Sequence, residues 1–188
     1  MSSSLEEAPT RAAPPAPAPA ATAEPTGDHV DAEGRIVVET SLSIAAPPAK
    51  VWERLMFYEQ IDERPPWHLR LLLPVPIETI GKKSAPGDEA RCVYEGGYLI
   101  KRVTAVDAPR RYDFIVSEQA LDVGGGIKLS GGCYVLTETA PGRTSLAITT
   151  RYTGTRRPRW MWRGVERTVC HSFHRHILKA MRRAIEVP

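Results

Sequence analysis

A chain of 188 residues that is 42% hydrophobic has material for one core of ordinary size, which excludes a wholly disordered protein. No run of about 18 apolar residues occurs, and the first residues lack the basic start and apolar stretch of a secretory signal, so a transmembrane helix is excluded and the cytoplasm is the expected location. The net charge of +3 is uneven: residues 151–188 hold ten Lys/Arg against two Asp/Glu.

That basic C-terminus suits an anionic membrane or an acidic partner protein. The plainer reading is the solvated face of an amphipathic helix. The three cysteines, Cys92, Cys133 and Cys170, form no CxxC pair and are odd in number, so reduced thiols are expected rather than a disulfide framework.

Residues 1–33 carry Pro9, Pro14, Pro15, Pro17, Pro19 and Pro25 amid alanines, with only Leu5 and Val30 as large apolar residues. Such a segment cannot offset the entropy of ordering and reads as a disordered Pro/Ala-rich tail, with the domain occupying 34–188. From Arg35 to Ile44, apolar residues alternate with polar ones as in a half-buried strand: Ile36, Val38, Leu42 and Ile44 share one face. Residues 45–56 read as a short helix, with Pro47 and Pro48 in its first turn and Val51, Trp52, Leu55 and Met56 at helical spacing. Four prolines between Pro65 and Pro76 rule out a long helix there. The apolar Trp67, Leu69 and Leu71–Leu73 read as a short turn or lid, either gating a cavity or simply part of the core.

Short strands follow at 90–95, 98–106, 111–117, 127–138 and 144–152, with turn signals at Gly96-Gly97, Ala108-Pro109 and Pro141-Gly142. Hairpin-linked strands give an antiparallel sheet. Gly124–Gly126 and Gly131-Gly132 lack the ending of a phosphate loop and read as bends or bulges. Residues 159–186 form a long helical pattern, in which Val169, Phe173, Ile177, Ala180, Met181 and Ala184 make one apolar stripe. Arg167, His171, Arg175, Lys179 and Arg182 lie opposite.

The expected fold class is therefore α+β: a curved antiparallel sheet of about seven strands gripping the C-terminal helix, with short helices after the first strand. A twisted sheet curves away from a straight rod and leaves an apolar space beneath it. The stretch "IVVETSLSIAAPPAKVWERL" resembles the opening strand and helix of the START/polyketide cyclase-like (SRPBCC) superfamily, through Ile44, Ala46, Pro47, Val51, Trp52 and Leu55. With the strand series and last helix, the resemblance spans 35–186. It implies a helix-grip fold with a deep hydrophobic cavity under the C-terminal helix. The superfamily includes lipid carriers, aromatic-polyketide cyclases, hormone receptors and quinone binders. It shares no catalytic set, so none is transferred.

The residues expected to line such a cavity are Trp67, Leu71, Tyr98, Tyr112, Phe114, Tyr152, Glu166, Cys170, Phe173 and Ile177. Glu166, Cys170 and His174 recur every fourth residue on one side of the helix. If the protein is an enzyme, Glu166 and His174 are the catalytic pair, a partly desolvated Glu166 moving a proton with His174 as partner. The alternative ties Glu166 to neighbouring arginines in a purely structural role. Cys170 and His174 supply two metal-type ligands but no third or fourth, so neither a metal nor a cofactor is expected. Arg91, Tyr94, Glu95, Tyr98, Arg151 and Tyr152 supply polar contacts to a ligand if they face inward; Tyr152 shares a face with Leu146, Ile148 and Thr150, whereas the phases of 90–95 and 98–106 stay open. The tract from Arg156 to Arg163, with Trp160 and Trp162, reads as an interfacial patch or as a helix start packed on the sheet rim. No motif for nucleic acid accompanies the charge.

Three functions follow, in order. The first is binding or carriage of a hydrophobic small molecule such as a lipid, quinone or polyketide-like compound. The second is a cyclase/dehydrase-type enzyme. The third is an interaction module docking its basic helix on a membrane or an acidic partner.

Overall fold

The computed structural model describes residues 27–56, 76–124 and 126–186. Its elements are β1 (His29–Val30), β2 (Ile36–Ile44), α1 (Pro48–Met56), β3 (Pro76–Gly81), β4 (Glu89–Tyr94), β5 (Gly97–Asp107), β6 (Arg111–Ala120), β7 (Ile127–Ala140), β8 (Arg143–Gly154) and α2 (Arg159–Glu186). The eight strands form one curved antiparallel sheet in the order β1-β2-β8-β7-β6-β5-β4-β3. The short α1 leaves the sheet directly after β2, and α2 closes the chain, so the expected α+β helix-grip architecture is what the chain adopts.

Two strands were not read from the sequence. The edge strand β1 falls within the stretch assigned to the tail, because its two residues carry no periodicity of their own. It is held instead by pairing His29 with Val37 and Val30 with Ile36. The far edge strand β3 follows a proline-rich stretch, and its Ile77 and Ile80 are exposed, which removes the alternation that marks a half-buried strand. The segment Trp67–Leu73, with the Leu71 position, lies outside the described residues, as do residues 1–26.

Register fixes the inner face. Val38 pairs with Thr150, Thr40 with Ile148 and Leu42 with Leu146 between β2 and β8. Leu129 opposes Tyr152, Gly132 opposes Thr150 and Tyr134 opposes Ile148 between β7 and β8. Tyr112 and Phe114 continue the face onto β6. A break in register sits between Leu129 and Gly131, where β7 bulges. Gly131 has a left-handed φ of 151°, and a methyl there would overlap the backbone of Phe114. Glycine lets β6 and β7 approach at the bend, as a bulge reading of this pair requires.

Over this face, α2 runs along β2 and β8 and meets α1. Its C-terminal half packs Ile177, Leu178, Met181 and Ile185 against Ile44, Val51, Leu55, Leu146 and Ile148. A second core cluster lies toward the other end, where Val169 meets Ile36, Val38, Leu99, Leu121, Ile127 and Tyr152. Phe173 touches both clusters.

Candidate functional site

Between the two clusters the interior changes character. Several side chains point inward by register yet stay only half-buried: Tyr94 on β4, Phe114 and Val116 on β6, Tyr134 on β7, and Cys170 and Phe173 on α2. Each packs against a core cluster while part of its surface stays accessible. Near α1, a partly open hollow of about 20 Å³ is lined by Leu55, Met56, Val103, Tyr112, Phe114 and Tyr134 together with the lysines Lys83 and Lys101. That is room for a single water.

The hollow has an aromatic wall. Tyr112, Phe114 and Tyr134 lie with ring centroids 6.0–6.4 Å apart, and Trp52 meets Tyr112 edge-on at 6.5 Å. Lys101 sits 5.3 Å from the Phe114 ring centre. Of the residues expected at a cavity, Tyr112 and Phe114 meet here. Ile177 is buried in the core beside α1, whereas Phe173 bridges the two clusters. Tyr134, Trp52 and Met56 were not in the expected set. Tyr134 shares the alternation of Leu136, which was signal enough to include it.

Tyr98 is a correction. It pairs with Val93 while the neighbouring Leu99 opposes Cys92 on the inner face, so Tyr98 is on the outer one. There its ring carries the Arg91 guanidinium at 3.9 Å and its hydroxyl donates to Glu118. The Gly96-Gly97 turn sets this phase, and periodicity over six residues of β4 did not reveal it.

Glu166 and His174 are both buried, at 3% and 1% exposure, but they belong to separate networks. Glu166 accepts from Arg159 through both oxygens, at 2.8 Å each. The pair lies against Gly154, where a methyl group would overlap both the guanidinium and the carboxylate. The partner is neither Arg163 nor Arg167 but Arg159, seven residues back and hence two turns away on the same face.

His174 is held between two threonines. Its Nε2 lies 2.8 Å from Thr150 Oγ1 and its Nδ1 lies 3.1 Å from Thr40 Oγ1. Thr40 also meets His171 Nδ1 at 2.8 Å, and His171 Nε2 lies 2.9 Å from Asp28. A carboxylate only accepts, so His171 Nε2–H donates to Asp28. With both imidazoles neutral, Thr40 then donates to His171, His174 to Thr40 and Thr150 to His174. The row runs in one sense from β8 to the edge of the sheet. Burial pushes the His174 pKa down to about 3, with Asp28 opposing. On Asp28, burial acts upward, but hydrogen bonds from His171 and the Glu39 amide, with the nearby Arg167, hold it below the ordinary value.

His171 thus does not belong to the solvent face expected of it, because Asp28, just before edge strand β1, meets that side of α2. Thr40 was detectable: it is a polar residue at an inward position between Val38 and Leu42. Asp28 was hidden by its assignment to the tail.

Cys170 lies beside His174, Sγ to Nε2 at 3.6 Å, and burial pushes its thiol up to about 12. All three cysteines are free. Tyr152, on the inner face of β8, is fully buried, and its hydroxyl has no hydrogen-bond partner among the described residues. Among the described residues no three metal-ligating side chains converge, and no helix is long and apolar enough to cross a membrane.

The architecture recurs in solved structures at low identity. A START superfamily protein from Mycobacterium smegmatis matches at a TM-score of 0.55 and 13% identity, over 81% of this chain and 98% of that one. Ara h 8.0201 matches at 0.54 and 15%, over 82% and 100%. The Zhui aromatase/cyclase from Streptomcyes sp. R1128 matches at 0.52 and 17%, over 79% and 94%. No protein-family model matches the chain, and no curated protein matches it by sequence. The fold is therefore the START-like, polyketide cyclase-like helix-grip fold, shared at identities that carry architecture and no more.

Proposed function

We propose that the protein binds a hydrophobic small molecule between α2 and the inner faces of β4–β7. The observation that carries this reading is the set of inward apolar side chains left half-buried: Tyr94, Phe114, Val116, Tyr134, Cys170 and Phe173. They pack against the two core clusters yet keep part of their surface accessible, as side chains beside a hollow do. The helix lies along β2 and β8, with the aromatic wall of β6 and β7 beside it. The 20 Å³ hollow beside α1 is too small for an organic ligand as it stands, so binding requires Met56 and the rings to shift. Methionine is suited to that, being unbranched and adaptable. Burying about 300 Å² of ligand surface contributes ~7 kcal/mol before the costs of association.

The test is mass spectrometry of material released by denaturing the purified protein, followed by titration of the stripped, refolded protein with an apolar fluorescent probe. Release of a hydrophobic compound and saturable probe binding are expected. A stripped protein that binds no apolar probe overturns the reading.

A cyclase or dehydrase reading asks Glu166 for a mobile proton. Both its oxygens accept from Arg159, and His174 is committed to Thr40 and Thr150, so the geometry favours binding over turnover. A second reading does have its own support. Trp160 is 81% exposed and lies beside the exposed Met161 and Val165, with Arg156, Arg157 and Arg163 around it. Tryptophan among arginines suits a lipid interface. Binding to anionic vesicles that falls steeply with salt is the expected sign of docking there, and salt-insensitive or absent binding removes it.

A further inference from the structure

Lys101 occupies a position where a charge is not expected. On β5 it lies between Leu99 and Val103, which are 4% and 2% exposed, and it opposes buried Ala90 on β4 and Val116 on β6. Alternation therefore turns its stem to the inner face, where it is half-buried. Lysine is rare at such a position, because its ammonium keeps a strong claim on water or a counter-charge. Here the ammonium sits 5.3 Å from the Phe114 ring centre, at the partly open hollow beside α1. Lys83, from the turn between β3 and β4, lines the same hollow. The other polar side chains of the lining are the phenols of Tyr112 and Tyr134, and among the described residues no carboxylate lines it. Glu89, Asp113 and Glu118 of the neighbouring strands are on the outer face, engaged with Arg102, Arg111 and Tyr98.

Two ammonium groups beside a wall of rings give the hollow positive charge over an apolar floor. Such a surface complements a molecule with a flat apolar body and one negative group. An ammonium has three hydrogens to give, so Lys101 can take a ligand oxygen beside its other contacts. We infer that the ligand is an apolar carboxylate, with its body on Tyr112, Phe114 and Tyr134 and its charge held by Lys101, while Lys83 adds a second positive charge. This rests on the ligand-binding reading and narrows it to acids. A neutral molecule of the same shape covers the wall but gains no charge pairing from the lysines.

The experiment titrates two probes of similar shape, 2-naphthoate and its neutral counterpart 2-acetylnaphthalene, into the stripped full chain by calorimetry. Lys101→Met keeps an unbranched stem and removes the charge. Lys128→Met removes the same charge from an exposed site on the outer face of β7 and serves as control. Lys101→Met is expected to weaken naphthoate about tenfold and to leave the ketone within about twofold, whereas Lys128→Met leaves both within about twofold. An unchanged ratio of the two affinities in Lys101→Met, an equal loss in Lys128→Met, or a wild-type protein that takes the ketone but not the acid overturns the carboxylate assignment while leaving ligand binding intact. If neither probe binds the wild type, the ligand-binding reading falls and takes the assignment with it. Should Lys101→Met not fold, nuclear Overhauser contacts in the wild type decide. Contacts from naphthoate to the Lys101 side chain and the Phe114 ring support the assignment, and bound naphthoate without them refutes it.

Discussion

The two halves of α2 rest on the same sheet but are held in different ways. From Ile177 onward the helix is seated by aliphatic contact: Leu178 and Met181 are each 1% exposed and touch side chains of the second strand, the last strand and the short helix. Between Arg159 and His174 it is seated by polar groups that must find partners, namely an ion pair against Gly154, a histidine between two threonines, and a tyrosine that lacks one. Hydrophobic contact is tolerant of small displacements and lends stability. Buried polar contact is intolerant of them and sets position, which is what a site requires. The clamp and the candidate site are thus successive stretches of one helix.

The sharpest way to break this contrast is to remove packing from the clamp. Leu178→Ala is expected to cost about 2–5 kcal/mol in chemical denaturation, with the cooperativity of unfolding preserved. A loss below about 1 kcal/mol contradicts its role. Next, Glu166→Gln leaves Arg159 without its counter-charge. Because Arg159 keeps 28% exposure, the expected cost is about 2–3 kcal/mol, at the low end for a buried pair. A neutral result means that water already shares the arginine.

The third probe is pH. The folded-state pKa of His174, about 3, is below its unfolded value near 6.5, so the unfolded chain gains a proton first as pH falls. Stability contributed by the neutral ring is fully present above pH 6.5 and declines toward pH 3 at up to about 1.4 kcal/mol per unit. His174→Gln should flatten that limb and leave the steeper loss below pH 4, to which Asp28 contributes. An unaltered profile assigns the acid sensitivity elsewhere. Gly154→Ala is expected to cost about 1–2 kcal/mol by crowding the Arg159–Glu166 pair. Smallest of all, Trp160→Ser should shift the melting midpoint hardly at all, under about 0.5 kcal/mol, since 81% of the residue is in solvent. A large loss there shows that the tryptophan is part of the fold.

Much of the architecture could be read from residue patterns. The alternation in β2 and the apolar stripe of α2 are long, and long periodic segments specify their own type; α2 begins and ends where the pattern does. The edge strands were invisible because an edge strand is defined by what it pairs with, and β1 has only two residues with which to announce itself. At the site, the inward positions of Tyr112, Phe114 and Tyr152 followed from strand phase. The partners did not: Asp28 and His171 are far apart in sequence, as are Thr40 and His174, and only tertiary structure joins them. Tyr98 failed for a narrower reason. In a strand, one residue of slip exchanges inside for outside, and the glycine turn before it made the slip undetectable.

The row from Thr150 to Asp28 has one further consequence. Hydroxyls and neutral imidazoles each give one hydrogen and take one, so a closed string of them has two arrangements of nearly equal energy, related by reversing every member. The carboxylate at the end abolishes that degeneracy, since it has no hydrogen to give. A single acid group at the rim of the sheet thereby selects which way each polar hydrogen faces in the interior, and with it the tautomer that His174 presents beside Cys170.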